Sequence, residues 1–375
     1  MQRLQLRIAV IVTVVSSLSF AAEPGVTATE IKLGTTQPMT GPLAFYGEMT
    51  KGSRAYFQSI NEDGGVNGRK ITYAIEDDAY TPAKTVPATK KLVEQEKVFG
   101  LFQALGFPHT SVAPYLKQKK VPSFFLSDGS AMWESNTLAF RGMVPWAKDG
   151  AFMGGYVASK YAGKTVGFLI EKSNLGNEGL EAAKKALGDK VKYGPIESYE
   201  PGAINADTQT QNLMAAKVDV VIALAVPNVT ASAAKYAVTK GWKPAWMVSY
   251  VNCAPELVML GGEAVEGMMS GIFMKLPTDD DASVKEHQKL LDKAFPGTKA
   301  SFMTLYGQTN AELMVEALRR GGKNLTRQSA IAGAESIKDF TCSLCLFPST
   351  LSATDHTPFE ELTPMQVKAG KWTKI

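Results

Sequence analysis

Three histidines, three cysteines and scattered serines are the side chains from which nucleophilic, redox or metal chemistry could be built in this 375-residue chain. A hydrolase needs a nucleophile beside a base that a third group orients. The imidazoles are His109, His287 and His356, and no G-x-S-x-G elbow accompanies them. His287 falls in the charged run from Asp279 to Lys293, which reads as a solvated helix face. His109 sits in a loop without an acid or cysteine partner in its motif, and His356 follows Asp355 in what reads as another loop, so both are assigned structural or contact roles. Cys342 and Cys345 form a C-x-x-C pair without the second ligand pair of a zinc site or an evident following redox helix. With Cys253 the count is odd, so the expectation is free or singly bridged thiols, with all three pairings open. Neither a G-x-x-x-x-G-K loop nor a G-x-G-x-x-G turn between strand and helix is present. The chain is therefore expected to be a binder and not a catalyst, with no cofactor and no metal.

The order of elements is more informative. From Ile31 to Asp78 the chain reads as strand, loop, helix, cap, turn and strand. Ile31 to Thr35 is a short apolar run, and Pro38, Gly41 and Pro42 then interrupt regular structure. Tyr46 stands near the start of a helix carrying Met49, Ala55, Tyr56 and Ile60, which Gly64-Gly65 ends in a left-handed cap. Asn67-Gly68 turns the chain into the strand Lys70 to Ile75. The alternation continues. Strands are expected at 98–102, 123–126, 165–170, 218–224, 246–249 and 268–273, and helices at 82–96, 110–119, 150–160, 177–187, 207–217 and 230–240. This is the pattern of parallel sheets covered by helices on both faces, whose ligands bind at the C-terminal ends of strands.

The ordered series from Ile31 to Asp78, the helix opened by Thr81-Pro82, Val121-Pro122 before a strand, and Val367 to Trp372 near the C-terminus resembles the periplasmic branched-chain amino-acid binding proteins, the solute receptors of ABC importers. The resemblance covers nearly all of the mature chain, more loosely in its middle third. It implies an α/β fold of two doubly wound parallel-sheet lobes joined by a three-crossing hinge, the type I periplasmic binding protein fold. Lobe one is expected over 22–143 and 275–348, and lobe two over 144–274 and 349–375. Crossings are placed at Arg141 to Pro145, near Ile272 to Pro277, and near Phe347 to Thr350.

The resemblance also places the site. A ligand carboxylate is expected between the lobes, on hydroxyls and amides of two loops. The first is Gly106-Phe107-Pro108-His109-Thr110, with Thr110 capping the next helix. The second is Ser127-Asp128-Gly129-Ser130. Phe107 stands where the family has a hydroxyl, and Ser127-Asp128-Gly129 replaces its Ser-Ala-Thr pattern. Asp128 is expected to point outward as a cap or turn residue, since inward it would oppose a carboxylate. Tyr46 matches an aromatic that covers the ligand, and Trp133 stands near the same loops. In lobe two the family's tyrosines align with Leu175 and Val226, and its ammonium-pairing acid aligns with Tyr250. Unless Glu171 or Asp128 substitutes, the ligand then lacks an amine. An aromatic or branched organic acid is favoured over a branched-chain or other hydrophobic amino acid.

The ends and the composition set the partners. Arg3 and Arg7 precede the apolar run Ile8 to Val15, and Ser19-Phe20-Ala21 supplies small residues, so residues 1–21 read as a secretory signal cleaved after Ala21. No cysteine follows for a lipid anchor, and no later stretch is long and apolar enough to span a bilayer. A periplasmic protein is expected, without membrane insertion. The balance of 40 basic against 36 acidic residues, +4, falls to +2 without Arg3 and Arg7. With charges interspersed, no nucleic-acid partner is expected. The expected partners are a small carboxylate and an importer's permease and ATPases, met by a monomer. The alternative of another class is a ligand-sensing receptor domain, which would need an output segment that the sequence after Trp372 does not carry.

Overall fold

The computed structural model describes residues 23–41 and 43–375. The segment expected to be a secretory signal, residues 1–21, lies outside the described residues, as do Ala22 and Pro42. The chain builds two sheets. The first, in the order β2-β1-β3-β4-β5, is wholly parallel and consists of β1 Glu30–Gln37, β2 Lys70–Asp77, β3 Gly100–Phe102, β4 Ser123–Leu126 and β5 Ala139–Arg141. The second has the order β12-β11-β10-β9-β8-β6-β7. It runs from β6 Thr165–Glu171, β7 Lys192–Tyr199, β8 Val220–Leu224, β9 Ala245–Val248 and β10 Met269–Ile272 to β11 Thr363–Lys368 and β12 Lys371–Lys374. β11 pairs antiparallel with both β10 and β12, so Val367 to Trp372 is a hairpin on an otherwise parallel sheet.

Burial explains why these segments are strands. In β8 all five residues, Val220 to Leu224, are fully buried, as a central parallel strand covered on both faces requires. β7, at the sheet edge, is exposed or half-buried along all but its last residue, with no regular alternation. That weak pattern, interrupted by Gly194-Pro195, gave no expected strand. The first helix, Met49–Glu62, buries Met49, Ala55, Phe57 and Ile60, and Gly65 N donates to Ile60 O at 2.8 Å with φ of +76°. It packs on the long helix Phe302–Arg320, whose Ser301 and Thr304 form a capping box. In the second unit, helices Trp146–Lys160 and Asn174–Leu187 approach so closely that a Cβ on Gly150 would stand 2.0 Å from Gly179 O.

Other expectations change in detail. The helix expected at 110–119 is two, Gly106–Thr110 and Ala113–Lys119, because turn formation begins four residues earlier at Gly106. Thr110 therefore caps nothing, and its hydroxyl donates back to Phe107 O at 2.7 Å. His287 is not on a solvated face. It is fully buried, with Nδ1 2.7 Å from Gln308 Oε1 and Nε2 2.9 Å from Thr304 Oγ1.

Three segments run between the sheets side by side. Lys275 N donates to Leu344 O at 2.8 Å, Leu346 N to Phe273 O at 3.1 Å, and Arg141 N to His356 O at 3.0 Å. Cys342 and Cys345 are bridged at the end of this strip, while Cys253 is a buried free thiol.

Candidate ligand-binding site

The C-terminal ends of strands in both sheets face one another across a cleft of about 490 Å³. From the first sheet, the turn after β2 supplies Tyr80. Asp77 Oδ1 accepts from Ala79 N at 3.0 Å and Asp78 Oδ1 from Tyr80 N at 2.9 Å, which stabilises two successive left-handed residues, Ala79 at +45° and Tyr80 at +58°. The loops after β3 and β4 are tied together, with Gly106 N donating to Ser127 O and Ser127 N to Ala104 O. From the second sheet come Glu171 at the end of β6, Lys172 to Leu175 at the start of helix Asn174–Leu187, and Val226 before helix Pro227–Thr239.

Of the residues expected at the site, Tyr46, Gly106, Phe107, Thr110, Ser127, Leu175 and Val226 all line this cleft. Phe107 is 50% exposed, an apolar face left open toward the cavity. Ser127 contributes little free chemistry, since its hydroxyl accepts from Tyr306 Oη at 3.0 Å. Three expected residues lie elsewhere. Gly129 is behind the wall, where a Cβ would meet Val144 O at 2.6 Å and the Trp146 ring at 2.9 Å. Ser130 is fully buried and joins the two halves of the molecule: its Oγ donates to Glu178 Oε1 at 2.8 Å and accepts from Asn174 Nδ2 at 2.8 Å, while Ala131 N donates to Glu178 Oε2. Tyr250 is also off the main cleft. It borders an adjoining apolar cavity of about 40 Å³, and its hydroxyl donates to Val144 O at 2.9 Å.

Asp128 corrects a second expectation. It does not point outward; it is 5% exposed, and its oxygens accept from Ser130 N at 3.0 Å, Trp133 Nε1 at 2.9 Å and Trp146 Nε1 at 3.2 Å. It is a turn residue, as expected, but an inward one. Burial pushes its carboxyl up, against these hydrogen bonds. Trp133 thereby anchors the turn and stays outside the cleft. His109, also behind the wall, is fully buried beside Ser123 Oγ at 3.2 Å, and burial pulls its imidazole down to about 3.

Residues absent from the expected site also line the cavity, among them Tyr80, Met132, Met143, Trp146, Ser173 and Val251. Tyr80 follows Asp77-Asp78 at a strand end, a signal the general rule for such sheets supplies. Glu171, weighed as a substitute acid, does reach the cleft, where burial raises its carboxyl. Tyr199 Oη lies 3.4 Å from Glu171 Oε2 and accepts from Val226 N at 3.1 Å. The site thus offers apolar walls, the two phenols of Tyr46 and Tyr80, and the two buried carboxyls of Asp128 and Glu171. In a separate crevice of about 270 Å³, Arg141 pairs with Glu134, and His356 Nε2 lies 3.1 Å from Glu335 Oε1. Among the described residues no cluster suited to a metal ion is found, and no helix is long and apolar enough to cross a membrane.

Comparison with known proteins agrees with this architecture. The Leu/Ile/Val-binding protein homolog 1 of Brucella abortus is 24% identical over 318 residues, covering 82% of each chain. Among solved structures, a branched chain amino acid ABC transporter protein from Thermus thermophilus with bound valine superposes with a TM-score of 0.84 at 18% identity, over 92% of this chain and 95% of the other. A solute binding protein of an ABC transporter from R. palustris in complex with benzoate gives 0.80 at 18% identity, over the same 92% and 95%. The family described as periplasmic binding protein matches residues 30–371, and with both sheets, their crossings and the intervening cleft in place, the chain belongs to that family.

Proposed function

We propose that the protein is the periplasmic receptor of an ABC importer, reaching that compartment by cleavage of its signal after Ala21, and that it encloses a small carboxylate-bearing solute with an aromatic or branched apolar body. The observation that carries this reading is the cleft itself. Its volume of about 490 Å³ suits one small solute, and Phe107, Met132, Met143, Leu175, Val226 and Val251 offer the body its walls. Binding between two units joined by hydrogen-bonded crossing segments lets closure present a composite surface to a permease. Relatives named for leucine, isoleucine and valine, and a structural neighbour holding benzoate, support the same solute class.

A thermal-shift panel of leucine, phenylalanine, benzoate, 3-phenylpropanoate and branched keto acids tests this. A true ligand at a hundredfold excess over its dissociation constant adds about 2.7 kcal/mol to native stability. The bound solute is recovered chemically unchanged, as expected of a receptor. Failure of every member of the panel to raise the melting temperature would remove the solute class, and turnover of a stabilising one would remove the receptor reading.

A further inference from the structure

The C-x-x-C motif and the buried carboxylate of Glu312 have no place in the cleft, and they meet at Ser343. Residues 340–349 form a short antiparallel loop. Phe340 N donates to Ser349 O at 3.0 Å and Ser349 N to Phe340 O at 2.8 Å, and at the tip Cys345 N donates to Cys342 O at 3.0 Å. The tip, Cys342-Ser343-Leu344-Cys345, has no glycine, proline, asparagine or aspartate to set a turn, so the bridge between its ends closes it.

One side of the tip reaches the long helix Phe302–Arg320. Glu312 is 6% exposed, and its oxygens accept from Ser343 N at 2.6 Å, from Ser343 Oγ, and from Gln308 Nε2 at 2.8 Å. The tip thus supplies two of these three donors, and a buried carboxylate that loses them is costly. The other side holds the crossing that leaves β10. Lys275 N donates to Leu344 O, Leu346 N donates to Phe273 O, and Cys345 pairs with Met274. Phe273 in turn lies against Tyr250 and borders the small apolar cavity next to the cleft.

We propose that the Cys342–Cys345 bridge is a redox-dependent staple of the hinge: oxidised, it clamps the crossing after β10 to the long helix of the first unit, and reduced, it releases that crossing. Reduction by a dithiol breaks the S–S bond, carries two electrons and two protons to the pair as two thiols, and leaves the dithiol as its own disulfide; exchange with a disulfide runs the step in reverse. Both cysteines are buried, so a thiol reaches them only when the tip opens or before it folds. Oxidation therefore completes the hinge. The periplasm in which the receptor reading places the protein supplies that oxidation, and a reducing cytosol withholds it. Because the closed loop is short, the bridge adds less to global stability than one closing a long loop, and its effect is local.

Hydrogen–deuterium exchange of the full mature protein tests this, comparing wild type, Cys342→Ser/Cys345→Ser and Cys253→Ser, with melting temperature as the folding control. Alkylation of denatured, unreduced wild type should label one thiol, that of Cys253. In the double variant, peptides covering 273–276 and 340–349 should exchange at least about tenfold faster, while peptides of β8 keep wild-type protection. Cys253→Ser should match wild type throughout. Wild type reduced with dithiothreitol should show the same local loss, and it carries the test if the double variant does not fold. Unchanged exchange at 273–276 once the bridge is gone, a loss spread evenly over both sheets, or three labelled thiols in wild type would overturn the inference while leaving the receptor reading standing.

Discussion

The phenol of Tyr250 sits between Trp146 and Phe273, with ring centroids 5.9 Å and 5.7 Å away, and ends on a backbone carbonyl. Nothing about its residue type distinguishes this from a ligand contact; only the direction of the side chain does. Tyr250→Phe strips the donor from Val144 O and should destabilise the protein by about 1–3 kcal/mol, the range for a buried polar group left unpaired. Urea unfolding measures that loss, and solute affinity should be unchanged. Gly106, Phe107 and Thr110 were legible as cleft residues because a strand end followed by a Gly-Phe-Pro loop leaves few other places for them. The depth of Ser130 and Gly129 was not legible, since one residue along a turn exchanges wall for interior. Asp128 was half legible. Asp two residues before Ser is a turn signal, but the two indoles that draw its carboxyl inward come from Trp133 and from Trp146 in the next element.

At the scale of elements, the alternation of apolar runs and helical patterns located β3, β4, β6, β8, β9 and β10 within a residue or two. Fully buried parallel strands are continuous apolar stretches, so they stand out. The edge strand β7 and the hairpin β11–β12 do not, because few of their residues are fully buried and no continuous apolar run marks them. Helix contacts were invisible for another reason: they depend on what is missing. Helices Trp146–Lys160 and Asn174–Leu187 meet backbone to side-chain-free backbone at Gly150, and again at Gly154, where a Cβ would lie 2.4 Å from Ala183 O. Gly→Ala in an open helix stabilises by up to about 1 kcal/mol. Here the sign should reverse: Gly150→Ala is expected to cost about 1–3 kcal/mol by forcing the helices apart, read as a lower melting temperature with little change in helical circular dichroism.

Across the whole molecule, the two sheets are linked by the crossing strands and also latched directly. Glu178, on a helix of the second sheet, accepts from Ser130 Oγ and Ala131 N on the first, at 2.8 Å and 2.9 Å. These bonds exist only when the cleft is closed at that edge. Solution scattering should therefore show compaction on adding a saturating solute, and Glu178→Ala should weaken affinity several-fold while the solute-saturated radius stays the same. An unchanged radius with saturating solute would argue against closure. The resemblance of the sequence to a two-lobed receptor carried the fold, yet the latch lies beyond such reading, since Ser130 and Glu178 are 48 positions apart and meet only through the arrangement of the lobes.

Trp146 occupies an unusual place in this arrangement. Its ring lines the cleft, its Nε1 donates to Asp128, and the helix it opens belongs to the opposite sheet. The other four tryptophans, at 133, 242, 246 and 372, are not on the cleft lining. An indole at that position feels both the expulsion of water by an incoming solute and any change in the distance to its carboxyl partner. The receptor thus carries an internal fluorophore at its binding site, so its occupancy can be followed by emission colour in unlabelled protein, with Trp133 reporting on the same carboxyl and Trp242, Trp246 and Trp372 lying away from the lining.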